Sequence, residues 1–163
     1  SCAFLLSSAR FRANPMAKEG GRAMAVVMDK AALEAFLVSE FPQVSDDYSI
    51  ERVEEMALSV RLRVSDRHLR PGGTISGPSM FALADVGVYL AILAMIGPVA
   101  LAVTTNISMD FMRKPAAGTD LIGDTRLLKL GRLLAVGDCL IRSEGSDAPV
   151  ARASLTYAIP PQG

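Results

Sequence analysis

The sequence predicts an α+β domain in which an antiparallel sheet wraps around one long buried helix. Residues 78–96 are apolar on nearly all sides of a helix, which marks a buried helix rather than a surface one. Strand-like segments follow at 99–112, 121–130, 133–143 and 150–159, and an alternating segment precedes the helix at 55–64. A helix so apolar needs cover on more than one side. The sheet supplies one, and a second copy of the chain can supply another.

The elements can be justified in order. Residues 1–23 show no periodicity and are expected to be an N-terminal extension, either transit-like or a vestigial tail, leaving 24–163 as a single domain. Asp29 is placed to cap a helix over Lys30–Glu40, with Leu33, Phe36 and Leu37 on its apolar face and Pro42 beyond its end. In 55–64, Met56, Leu58, Val60, Leu62 and Val64 alternate with Ala57, Ser59, Arg61 and Arg63, the pattern of a half-buried strand. Pro71, Gly72 and Gly73 mark a turn in the loop 65–77. Pro78 suits the first turn of the long helix, and Gly97-Pro98 ends it. In the next strand Ile107, Met109 and Phe111 alternate with Asn106, Ser108 and Asp110.

Composition narrows the function. Half of the 163 residues are hydrophobic and 21% are charged, as in a folded domain. Seventeen basic residues balance seventeen acidic ones, and no basic stripe exists to replace nucleic-acid counterions, so a nucleic-acid partner is not expected. The opening SCAFLLSSAR is too short to span a membrane, and its basic residues follow the apolar stretch rather than precede it. The apolar run 80–103 is interrupted by Asp85 and by Gly97-Pro98, short of the ~20 residues a span requires. A cytoplasmic protein without a membrane segment is expected. Cys2 and Cys139 lie far apart with no metal or redox spacing and read as reduced thiols. No Walker loop, dinucleotide fingerprint or metal-ligand cluster is present, so no cofactor is expected.

Asp85 is the informative residue. An aspartate inside an apolar helix is a poor helix former and costs several kcal/mol to bury unpaired. It calls for a catalytic role or for a structural hydrogen bond across an oligomer contact. Gly77, at the start of the same helix, offers an N–H that can hold a developing oxyanion, or simply permits the turn before Pro78. Ser76 reads as a helix cap, His68 as a solvated loop residue, and Asp110 as an ordinary outward strand residue.

Three segments together resemble hotdog-fold acyl-CoA thioesterases of the phenylacetate-degradation type. HLRPGGTISGPSMFALADVGVYLAIL is similar to the loop and central helix of that family, TTNISMDFMRKPA to the following strand, and LLKLGRLLAVGDCLI to the next hairpin. The resemblance covers about residues 51–159. It implies a hotdog fold and hydrolysis of an acyl-CoA, with coenzyme A present only as part of the substrate. It places the carbonyl-polarising glycine at Gly77, the general base or nucleophile at Asp85, and an assisting hydroxyl at Thr104. The coenzyme A segment falls on 129–133, including Lys129, Gly131 and Arg132, and Phe111 lies where the pantetheine arm passes. Arg113 and Lys114 join Lys129 and Arg132 as candidate phosphate partners. The family's His-Gly-Gly is replaced by Ser76-Gly77-Pro78, and Arg70 stands where an amide side chain is usual.

Helix geometry adds an expectation about assembly. Gly77 and Asp85 are eight residues apart, or about 12 Å along the axis. An antiparallel copy of the helix would bring its Asp85 beside this chain's Gly77, so a homodimer, or a tetramer made of two, is expected. A non-catalytic acyl-CoA-binding or scaffold protein is the alternative. A hydratase is disfavoured by the lack of a suitably spaced Asp-plus-His pair.

Overall fold

The computed structural model describes residues 24–99 and 101–161; the expected extension over 1–23 and Cys2 lie outside these. The elements run α1 (Lys30–Glu40), β1 (Tyr48–Glu54), β2 (Ala57–Leu62), α2 (Gly77–Ile96), β3 (Val103–Phe111), β4 (Leu121–Leu130), β5 (Leu134–Ser143) and β6 (Pro149–Ala158). All six strands form one antiparallel sheet in the order β1-β2-β4-β5-β6-β3, and α2 lies against it. This is the hotdog arrangement the sequence predicts.

Two strands precede α2, within the one or two that the sequence allows: the alternating segment at 55–64 holds β2, and β1 lies just before it. The chain turns back at Met56, whose φ is 57°, and this pairs β2 with β1. β1 gave no clear alternation because Glu51, Arg52 and Glu54 are exposed and its ladder is irregular between Ile50 and Arg52. Strand β3 begins at Val103, not at 99, because Gly97 ends α2 and a turn closed by the Ala102 N–H on the Val99 carbonyl intervenes.

The first helix is capped as expected: the Asp29 carboxylate accepts from the Ala32 N–H at 2.9 Å, and Leu33, Phe36 and Leu37 are buried. Near the far end of α2 the Ala94 carbonyl accepts from the N–H groups of Val27 and Met28, so the chain leading into α1 ties down a helix end. By length and hydropathy α2 could cross a bilayer, but 67% of its most apolar window is buried in the fold, as befits a core helix. Leu83, Val88, Leu90, Ile92 and Leu93 meet Leu58, Val60, Leu121 and Ile141 in the core, each worth about 1.5–3 kcal/mol relative to exposure.

The helix approaches the sheet closely at Gly87. A Cβ there would stand 2.5 Å from Thr125 Oγ1 and 3.4 Å from a Val60 methyl, so anything larger than glycine must push the Thr125 side chain aside. Overpacking of this kind costs ~1–3 kcal/mol, against up to ~1 kcal/mol regained from helix propensity. Gly87→Ala is therefore expected to lower the melting temperature in the native background. In a Thr125→Ala background the same change should raise it. Thermal denaturation of the four proteins checks the reversal of sign.

Candidate active site

The first half of α2 leaves one face uncovered. Gly77, Phe81 and Asp85 recur at helical spacing along it; Phe81 is exposed, and Gly77 and Asp85 are half-buried. Beyond Asp85 the helix is covered all round, with Gly87 through Met95 buried.

The helix start is built by a cap. The Ser76 hydroxyl accepts from the Ser79 N–H at 3.3 Å and contacts the Ser79 hydroxyl at 2.8 Å, the capping role expected of it. Among the described residues the Gly77 N–H meets no acceptor. Pro78 has no N–H, which leaves the Gly77 donor without a neighbour on that side. Phe111, at the end of β3, packs its ring edge where a Gly77 Cβ would be, at 3.4 Å. A groove of about 450 Å³ opens here, lined by Arg70, Gly77, Met80, Phe111, Arg113 and Lys114 among others. Arg70 is held by its Nε–H, which donates to Thr74 Oγ1 at 2.7 Å.

Asp85 does not line that groove. Its carboxylate is held from the sheet: the Thr104 hydroxyl donates to Oδ1 at 2.6 Å, and the Tyr157 hydroxyl lies 2.6 Å from the same oxygen and 3.0 Å from the Asp85 carbonyl. Sequence reasoning did not single out Tyr157, because its partner is 72 residues away and only the folded register brings them together. Thr104 and Tyr157 are cross-strand partners on β3 and β6. A bulge between Thr104 and Asn106 shifts the phase of β3, so that Thr104 rather than Thr105 shares the inward face with Tyr157. Burial, and then the bond to Asp85, push the Tyr157 phenol above its ordinary range. Tyr48 is pushed up to about 12, mainly by burial and then by the charges of Asp47 and Asp85.

The remaining candidates separate. Gly131 and Arg132 line a different cavity of about 660 Å³, with Met24, Ile96 and Leu133, at the opposite end of α2 from Gly77. Lys129 lies on β4 near that turn. Within one chain the coenzyme A candidates thus fall into two groups, nearly the full length of α2 apart, roughly 28 Å.

His68 is not solvated. It is 8% exposed; its Nδ1 accepts from the Ser65 N–H at 2.9 Å, its Nε2 lies 3.5 Å from Asp47, and its carbonyl accepts from the Ser76 N–H at 2.8 Å. It anchors the loop that delivers the helix start, a role its polar sequence neighbours concealed. Asp110 pairs with Arg152 at 2.9 Å on the outer surface. Among the described residues no group of His, Cys, Asp or Glu is arranged to hold a metal.

Comparison with known proteins agrees with this fold. The chain is 33% identical over 103 residues to "Putative esterase PA0474" of Pseudomonas aeruginosa, covering 63% of this chain and 75% of that protein. The model of the family described as "Thioesterase superfamily" matches residues 72–150. The chain belongs to the thioesterase superfamily. A crystal structure of a "putative thioesterase" from Silicibacter sp. TM1040 superposes with a TM-score of 0.80 at 59% identity, covering 86% of this chain and 97% of that one. A mutant of the phenylacetic acid degradation protein PaaI from Thermus thermophilus superposes at 0.63 with 27% identity, covering 73% and 99%. Zebra fish thioesterase superfamily member 2 shares the fold, with a TM-score of 0.69 at 21% identity over 80% of this chain and 95% of that one.

Cys139 lies outside this candidate site. It is free and 1% exposed on β5, and burial pushes its thiol up to about 12. The reactive thiolate is therefore disfavoured, and the sulfur is shielded from reagents. A thiol reagent applied to a Cys2→Ser protein should label nothing until denaturant is added; rapid labelling of the native protein would contradict the buried position.

Proposed function

We propose that the protein hydrolyses acyl-CoA thioesters at a site assembled from two copies of the chain. The observation that carries this reading is the placement of Asp85, a carboxylate with two hydroxyl neighbours on one oxygen, on the uncovered face of α2. Its second oxygen, Oδ2, has no partner among the described residues. Such a carboxylate can take a proton from water or attack a carbonyl. The Gly77 N–H, at a helix start where partial positive charge collects, stabilises the oxyanion that forms.

Strand β3 is the support for the second copy. It is an edge strand with β6 on one side only, and Val103 and Phe111 are exposed on it, with Met112 exposed just beyond. It carries Thr104, bonded to Asp85, near one end and Phe111, packed against Gly77, at the other. Antiparallel pairing of β3 with its symmetry mate about Ile107 and Ser108 exchanges these ends. Asp85 and Thr104 of one chain then stand beside Gly77 and Phe111 of the other, and Phe81 is covered. In this arrangement Arg70, Arg113 and Lys114 surround the groove and meet coenzyme A phosphates, with Phe111 against the pantetheine arm. Lys129, Gly131 and Arg132 lie too far off in the same chain to join them and contribute from another copy.

Asp85→Asn keeps the size of the side chain and removes the base, so turnover of acyl-CoA substrates should fall by ~10²-fold or more, with both proteins shown to be equally folded. Undiminished turnover would sink the mechanism. Tight coenzyme A binding without turnover in the parent would identify a non-catalytic acyl-CoA-binding protein, the reading that the missing Pro78 N–H favours.

Mixing Asp85→Asn chains with chains carrying a bulky residue at Gly77 should restore activity, because each heterodimer holds one intact site. An active monomer in light scattering would exclude the shared site. Coenzyme A affinity should also fall as salt rises, more weakly once Arg113 and Lys114 are neutralised; salt-independent binding would remove the phosphate assignment.

A further inference from the structure

We propose that Tyr157 is a positioning residue: with Thr104 it occupies Oδ1 of Asp85 and leaves Oδ2 as the oxygen that reacts. The inference rests on the reading of Asp85 as the base or nucleophile, and it names which atom of that side chain acts and what holds it.

The geometry is specific. Two hydroxyls stand 2.6 Å from one carboxylate oxygen, the separation of charge-assisted O–H···O⁻ bonds. With both donors on Oδ1, the carboxylate is fixed about its last torsion, which would otherwise be broad. The Tyr157 hydroxyl has a single hydrogen, so the 3.0 Å approach to the Asp85 carbonyl is secondary to the 2.6 Å bond.

Tyr157 is itself rigidly placed. It is 2% exposed, and its ring stacks on Tyr89 with centroids 6.2 Å apart. Tyr89 is one helical turn beyond Asp85 and packs against Phe36 of α1 and Phe41 just past it. An aromatic row thus runs from α1 to the carboxylate and fixes the phenol ring at its end beside Asp85. The bulge in β3 brings Thr104 into register with Tyr157, so a local irregularity of one strand and the packing of a distant helix converge on one oxygen.

The test is a double-mutant cycle. Tyr157→Phe keeps the ring and its stack and removes only the hydroxyl. Turnover should fall by ~10-fold while the Michaelis constant changes by less than ~2-fold, the signature of an interaction used only in the transition state. In an Asp85→Asn background the same change should have no further effect, because the group it positions is gone. A Tyr157→Phe protein as active as the parent overturns the proposal, and so does an equal loss in both backgrounds, which would mark a purely structural role. A crystal structure of Tyr157→Phe provides a readout without turnover. Asp85 should there adopt a second orientation, and a single unchanged orientation overturns the positioning role even if the parent hydrolyses nothing. Failure of the acyl-CoA reading is recognised separately, by a parent inactive on every acyl-CoA or by an Asp85→Asn protein that keeps full activity.

Discussion

The closeness of α2 to the sheet governs the rest of the structure. Because Gly87 has no side chain, the helix comes down onto β4 with Thr125 directly beneath it. Two residues earlier, Asp85 is thereby lowered to the level of the sheet, within reach of hydroxyls on β3 and β6. A helix held even one methyl group higher would leave those bonds stretched, and a partly buried carboxylate without donors is expensive. Packing and chemistry are therefore one constraint here.

The two ends of the helix solve opposite problems. At its end the Ala94 carbonyl is met by the segment that precedes α1, and the residues from Leu90 to Met95 are all buried. At its start the loop through His68 holds Ser76, whose hydroxyl caps the helix, while the Gly77 N–H is left without an acceptor. His68 serves that start from a distance: its carbonyl takes the Ser76 N–H and its ring leans on Asp47. A buried anchor, bonded through its Nδ1 and its carbonyl, keeps the backbone that delivers the open donor in place.

Much of the fold was legible because its signals are local. The long helix follows from an unbroken apolar run with Pro78 and Gly97-Pro98 at its limits, α1 from the Asp29 cap, and β4 to β6 from runs closed by turn residues. Asp85 stood out through its cost. What escaped the reading depends on contacts distant in sequence. β1 was hidden by exposed charges and an irregular ladder, and the turn at Met56 by a residue type that rarely takes positive φ. Simple alternation back from Ile107 would turn Thr105 inward; the bulge turns Thr104 instead, as the family resemblance implied and periodicity could not. His68 looked solvated because Asp66 and Arg67 flank it. Tyr157 looked like one more apolar strand residue, since nothing near it in the chain announces an acceptor.

The unequal margins of the sheet have a consequence for growth. β3 presents an unpartnered edge with Val103 and Phe111 exposed at its two ends, whereas β1 at the other margin is shorter and exposes Glu51, Arg52 and Glu54. A molecule with two adhesive margins could add neighbours without limit and become a fibre. A molecule with one can join a single mate through that margin, and the joined pair then offers the surroundings only its two blunted ends. Under the proposed pairing, strand addition would be self-terminating, because the first strand and the third offer different margins.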